Sequence, residues 1–203
     1  MPEIAVINYG VGNLRSVKRG LEKAGAKITL LQPPFEQIAA DGIVLPGVGA
    51  FTSAMENISP STRLLEEELT TGKPLLGICL GLQLLFTQSQ EGGLRKGLNL
   101  IPGEVIQLPC SRVKIPQIGW NTINIQQANP LLDGIPDQSY FYFVHSFSAE
   151  PKNEKTIVAK TTYGTEFPSV ISIDNLYATQ FHPEKSSKLG LKILENFVKI
   201  IKR

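Results

Sequence analysis

Three short, almost uninterrupted apolar runs constrain this chain more than anything else in it: EIAVIN at 3–8, DGIVLPG at 41–47 and PLLGI at 74–78. Each has the length of a buried strand, and each meets a turn that holds glycine. A strand apolar on both sides must be covered on both sides, as in parallel sheets wrapped by helices. The sequence between the runs agrees. Leu14, Val17, Leu21 and Ala24 recur at helical spacing until Gly25 stops them, KITLLQ at 27–32 reads as another strand, and an acidic helical stretch near 61–71 ends at Gly72. After about residue 100 the texture becomes β-rich: Thr122 to Ile125, Tyr140 to Val144, Thr156 to Ala159, Ser169 to Ile173 and Leu176 to Phe181. These runs are read as antiparallel strands extending the sheet. A closing helix carries Leu189, Ile193, Phe197 and Ile201 on one face, and Lys188, Lys192, Lys199 and Lys202 on a solvated one. The expected fold class is α/β, a mostly parallel central sheet covered by helices, with an antiparallel β-rich extension in the C-terminal half.

With 203 residues the chain has the size of one elaborated domain, and no repeat, low-complexity tract or linker divides it, so residues 1–203 are taken as a single domain. A hydrophobic content of 42% excludes disorder. The formal charge of +2, from 20 Lys and Arg against 18 Asp and Glu, is too small for a nucleic-acid footprint, and no nucleic-acid partner is expected. No apolar run is long enough to cross a bilayer, and Met1-Pro2-Glu3-Ile4 lacks the basic flank and apolar core of a signal peptide. A cytoplasmic protein without a membrane partner is therefore expected. Cys79 and Cys110 could form one disulfide at most, and a core this large has no need of it, so at least one thiol is free for chemistry.

Gly10-Val11-Gly12 invites a dinucleotide fingerprint, but its third glycine would fall at Arg15. A tight turn in which Asn13 caps the next helix explains the segment better. Neither a cofactor nor a metal is expected. The informative segment is Pro74 to Phe86, an apolar strand, a sharp turn and an apolar helix with Cys79 at the bend. Gly77-Ile78-Cys79-Leu80-Gly81 has the form of a nucleophile elbow, in which small flanking residues permit a strained turn that pushes the reactive atom outward. The start of a helix there favours a thiolate and offers backbone N–H groups to an oxyanion. A buried structural cysteine remains the other reading of Cys79 alone. Cys110, in LPCSRV without flanking glycines, has only that reading.

A thiol nucleophile needs a base, and the chain has two histidines, His145 and His182. His182 follows the apolar run Leu176 to Phe181, and in an extended segment His182 and Glu184 point the same way, so the carboxylate can orient the ring. His145 alternates with apolar residues in YFYFVHSFS and reads as a pocket wall or a buried strand residue. Leu45-Pro46-Gly47-Val48-Gly49-Ala50-Phe51 is a second glycine-rich turn at the same sheet edge, able to supply an oxyanion donor.

Together these segments resemble the class I triad glutamine amidotransferases, with PLLGICLGLQLL as nucleophile segment and FHPEKS as His-Glu segment. INYGVGNLRSV, LPGVGAF, KIPQIGWN and YFVHSF narrow the resemblance to the glutaminase subunits of histidine biosynthesis, and it runs from end to end. The resemblance implies that Cys79 attacks the side-chain amide of L-glutamine, that His182 protonates the leaving ammonia and that Glu184 orients His182. Gly49 and Leu80 would offer N–H groups to the oxyanion, and Gln83, Glu91, His145, Ser146 and Phe147 would hold the glutamine. The implied partner is a (β/α)8-barrel cyclase subunit that uses the ammonia to make imidazole glycerol phosphate and an aminoimidazole carboxamide ribotide, with Asn13, Trp120 and Lys185 at the interface. Three residues depart from the pattern: Asn8 for an aspartate, Gln117 for a frequent histidine, bearing on interface detail, and Phe147 for a tyrosine, which leaves the backbone there to bind glutamine. Rival readings are another amidotransferase subunit of this class, a Cys-His peptidase or γ-glutamyl hydrolase acting alone, and a catalytically silent scaffold of the same fold. The GWN segment with FHPEKS argues against the first, and the complete triad against the last.

Overall fold

A computed structural model of the chain describes residues 1–10, 13–109, 111 and 113–202. The expected turn at Val11-Gly12 and the site of Cys110 lie outside the described residues. In chain order the elements are β1 (Glu3–Ile7), α1 (Leu14–Lys23), β2 (Lys27–Leu31), β3 (Gly42–Leu45), α2 (Phe51–Ile58), α3 (Thr62–Thr70), β4 (Leu75–Ile78) and α4 (Leu80–Leu84). There follow β5 (Phe86–Ser89), β6 (Arg95–Lys96), β7 (Ile101–Gln107), β8 (Gln117–Thr122), β9 (Asn124–Ile125), β10 (Tyr140–His145) and β11 (Phe147–Pro151). The chain ends with β12 (Ile157–Tyr163), β13 (Thr165–Ile173), β14 (Leu176–Thr179) and α5 (Ser187–Ile201).

Among the described residues an eight-stranded sheet runs in the order β2-β1-β3-β4-β14-β13-β12-β9. The pairings from β2 through β14 are parallel, and those from β14 onward are antiparallel. The α/β class and the antiparallel extension are therefore as expected. The continuous apolar runs have the anticipated cause. Ile4 and Val6 of β1 enter one core, with α1 and α5 residues Leu21, Ile193 and Phe197, whereas Ala5 and Ile7 enter a second core, with Phe51, Leu65 and Leu82. Lys188, Lys199 and Lys202 are exposed, and Lys192 is half-buried.

Two expectations about the β-rich half need correcting, and one sheet is added to them. Leu176–Thr179 is the hinge of the sheet and not simply part of the antiparallel extension: it runs parallel to β4 on one side and antiparallel to β13 on the other. The Tyr140 run leaves the main sheet and pairs with β8 as a two-stranded ribbon. A third sheet, β11-β7-β5-β6, covers the second core through Phe86, Ile101, Val105 and Ala149. Gly72, at φ +87, ends the 61–71 helical stretch as expected.

Candidate active site

Because β3, β4 and β14 are adjacent and parallel, the segments leaving their C-terminal ends share one edge of the sheet, where such sheets place their ligands. Loop 46–50 leaves β3, Cys79 leaves β4, and Gln180 to Glu184 leave β14. Cys79 sits at φ 51 and ψ −104, a bend that L-residues rarely adopt, and its N–H donates to the Thr179 carbonyl at 2.7 Å. The flanking glycines are sterically required. A Cβ on Gly81 would lie 1.9 Å from the Leu45 carbonyl oxygen, and one on Gly77 would lie 2.8 Å from that of Gly81. The helix after the bend is shorter than expected: α4 has five residues, and Phe86 already belongs to β5. Such a helix adds little macrodipole, so its contribution is its unpaired N–H groups, beginning at Leu80.

His182 is 1% exposed, and its Nδ1–H donates to Glu184 Oε1 at 2.8 Å. The pairing is as expected, but its geometric reason differs. Residues Pro183–Lys185 form a 3-10 turn, which folds the carboxylate back under the ring instead of aligning it along a strand. Burial alone would pull the His182 imidazole down, but the Cys79 sulfur and Glu184 outweigh it and raise the ring to about 10. The buried Nε2 thus has the sulfur as its electrostatic partner.

A cavity of about 260 Å³ opens over Cys79, lined by Gly49, Leu80, Gln83, Glu91, His145, Ser146 and Phe147 together with Val48, Pro116 and Val144. That size suits a single amino acid better than a drug-sized ligand, whose pockets run from about 300 Å³ upward. Burial raises the Glu91 carboxyl despite the N–H it accepts from Phe51. His145 is pulled down to about 4 by burial and by neighbouring His182, so it is neutral near pH 7. Its Nδ1 lies 2.8 Å from the Phe147 carbonyl, which can only accept, so Nδ1 carries the proton. The Nε2 lone pair then faces the Gln117 amide at 3.0 Å, and it is satisfied when that amide turns its NH2 toward the ring.

A sequence profile of the family described as glutamine amidotransferase class-I matches residues 5–201. The chain belongs to that family. Among relatives of this amidotransferase, an imidazole glycerol phosphate synthase subunit HisH from Methanosarcina barkeri is 50% identical over 98% of each chain. The protein of the same name from Archaeoglobus fulgidus is 46% identical over 98% of this chain and 100% of its own. Solved structures agree on the fold. PurLQS from Thermotoga maritima superposes with a TM-score of 0.77 at 17% identity over 98% of both chains. The glutaminase domain of Trypanosoma brucei CTPS with bound acivicin gives 0.71 at 16% identity, covering 100% of this chain and 94% of that one.

In this amidotransferase every residue expected at the nucleophile, the oxyanion and the glutamine site falls on one sheet edge or lines one cavity. The interface candidates lie nearby. Trp120 and Tyr142 meet edge-to-face at 6.1 Å, Lys185 Nζ stands 5.9 Å over the Tyr142 ring, and exposed Asn13 caps α1 by accepting the Ser16 N–H at 3.3 Å. Gln117 is 3% exposed and packs against His145. The Phe147 carbonyl accepts from His145 and from Gln83 Nε2 at 2.9 Å. Asn8 takes a turn role, its side chain accepting the Gly10 N–H at 3.2 Å. One residue that the sequence reading passed over touches the sulfur: Gln180 Nε2 lies 3.6 Å from Cys79 Sγ. The signal was available, since a polar residue inside a buried apolar run, two positions before His182, needs a partner.

Proposed function

We propose that residues 1–203 form one glutaminase domain that hydrolyses L-glutamine through a thioester on Cys79. Its ammonia passes to a (β/α)8-barrel cyclase subunit making imidazole glycerol phosphate and aminoimidazole carboxamide ribotide. The observation that carries the reading is the cavity over a strained Cys79, with the buried His182–Glu184 pair on the adjacent strand end, in a chain half identical to HisH subunits. The Cys79 thiolate attacks the glutamine amide carbon, and the resulting oxyanion is met by backbone N–H groups at Leu80 and in the Gly49 loop. As the C–N bond breaks, the His182 imidazolium gives its proton to the departing nitrogen, which leaves as ammonia. His182, now neutral, takes a proton from water as that water attacks the thioester; glutamate leaves, and the thiolate–imidazolium pair is restored. Glu184 holds the ring and balances its charge. At the cavity wall the Glu91 carboxylate suits the α-ammonium of a free amino acid.

Ammonia released into neutral water is mostly protonated and no longer nucleophilic, which supports direct transfer to a partner. The ribbon of β8 and β10 offers a surface for it. Ile118, Trp120 and Tyr140 are 63%, 51% and 60% exposed, and cross-strand pairing puts them on one face with Tyr142 and Val144, next to the cavity mouth. An apolar face of that kind is typical of an interface. The test is glutamate release from L-glutamine with and without the barrel subunit, by the wild type and by Cys79→Ala and Cys110→Ala. Activity in the complex that survives Cys110→Ala and vanishes in Cys79→Ala is expected; turnover by Cys79→Ala overturns the reading.

A further inference from the structure

We propose that Gln180 is a further catalytic residue, whose side-chain amide donates an N–H to the Cys79 sulfur and supports the attacking thiolate from the side away from the substrate. The inference rests on Cys79 being the nucleophile. Its strength lies in a chain of hydrogen bonds that leaves one orientation for the amide. The Phe147 carbonyl can only accept, so the Gln83 group 2.9 Å away is NH2. The second hydrogen of that NH2 points at Gln180, whose facing atom at 3.4 Å is therefore Oε1. With its oxygen so occupied, Gln180 must turn its own NH2 to Cys79 Sγ at 3.6 Å, within reach of a hydrogen bond to sulfur. Gln180 is 0% exposed, and its backbone N–H is fixed on the Ser169 carbonyl at 2.9 Å.

A second group at the sulfur favours the opposite protonation state. The Val144 carbonyl lies 3.7 Å from Sγ and can only accept, so it pairs with the thiol and opposes the thiolate. Gln180, which can only donate there, strengthens its bond as negative charge gathers on sulfur. The ionisable groups around Cys79 are His182 with Glu184 behind it, the buried Tyr9 phenol at the end of β1, His145 at the end of β10, and Glu91 across the cavity. Replacing Gln180 removes none of these groups. Because Gln180 lies outside the cavity lining, its loss should act on the chemical step more than on glutamine binding.

The experiment follows Cys79 alkylation by iodoacetamide against pH, by peptide mass spectrometry in a Cys110→Ala background, for the wild type, Gln180→Leu and Gln180→Met. Glutaminase kcat and KM are measured with the barrel subunit bound. Both substitutions put an apolar side chain of similar size in place of the amide, and Met serves if Leu prevents folding. The expected result is an alkylation midpoint raised by roughly one pH unit, with kcat about tenfold lower and KM nearly unchanged. A folded variant with the wild-type midpoint and kcat overturns the proposal while leaving the glutaminase reading intact. A wild-type complex that releases no glutamate overturns the glutaminase reading itself.

Discussion

At Cys79 the proposed function and stability pull against each other. A non-glycine residue at φ 51 with ψ −104 costs on the order of 1–3 kcal/mol, and the structure keeps it because the bend aims the sulfur into the cavity. Glycine would relieve the bend. Cys79→Gly should therefore be as inactive as Cys79→Ala yet more stable than it by about 1 kcal/mol, read from urea denaturation midpoints; equal midpoints would remove the strain argument. His182 gives a second residue-scale prediction. Its ring is raised from 6.5 to about 10, so the folded state keeps a proton that the unfolded chain releases first. The stability this gives is complete below 6.5 and is lost as pH rises to about 10, over which range glutaminase should also fall as the imidazolium disappears. His145 has the opposite sign: held near 4, it contributes fully above 6.5 and loses that contribution as pH falls through 4. Thermal melting of wild type against His182→Asn across this range checks the alkaline limb, which the variant should lack. The His182–Glu184 contact was legible from two-residue spacing, although a 3-10 turn makes it, whereas the tie from Gln180 to sulfur needed a three-dimensional neighbour.

Among elements, the junction of β3, β4 and α4 is the tightest constraint on the site. With only 1.9 Å between a Cβ on Gly81 and the Leu45 carbonyl, Gly81→Ala must push the backbones apart. We expect a loss of about 3 kcal/mol or failure to fold, together with loss of glutaminase, measured by denaturation and glutamate release; an active, equally stable variant would refute the close approach. The same junction explains what the sequence reveals about elements. β1, β3 and β4 are buried on both faces, so they are written as unbroken apolar runs next to glycines. LYAT of β14 alternates identically whichever way its neighbour runs, and its parallel place beside β4 is set by the other end of the chain. β7 carries Pro102 and Gly103, residues that weaken a strand reading, and its sheet escaped notice.

The molecule as a whole carries its exposed aromatic ribbon beside its cavity, so whatever binds the ribbon can act on the site. Trp120 is half exposed although it is the largest side chain on that face, and Trp120→Ala should weaken binding of the barrel subunit by about 2 kcal/mol, roughly thirtyfold in Kd by calorimetry. Val144, on the neighbouring ribbon strand β10, carries the carbonyl that faces the thiol, and loop 46–50 holds Gly49 at φ +136, where glycine's freedom allows its peptide to turn. The isolated chain should therefore hydrolyse glutamine slowly, and the complex carrying its nucleotide ligand should be faster by about 10²- to 10³-fold, the worth of one oxyanion donor. Equal rates for chain, complex and liganded complex would reject such a gate without touching the triad. The parallel seat of β14 also bears on the birth of the protein. Gln180 and Cys79 meet across 101 residues of sequence, so a ribosome-bound chain displaying the finished first four strands owns a thiol but no acid, base or amide to set against it. On the proposed function, reactivity is postponed until β14 enters between β4 and β13, which makes the late arrival of that strand a safeguard against squandered glutamine.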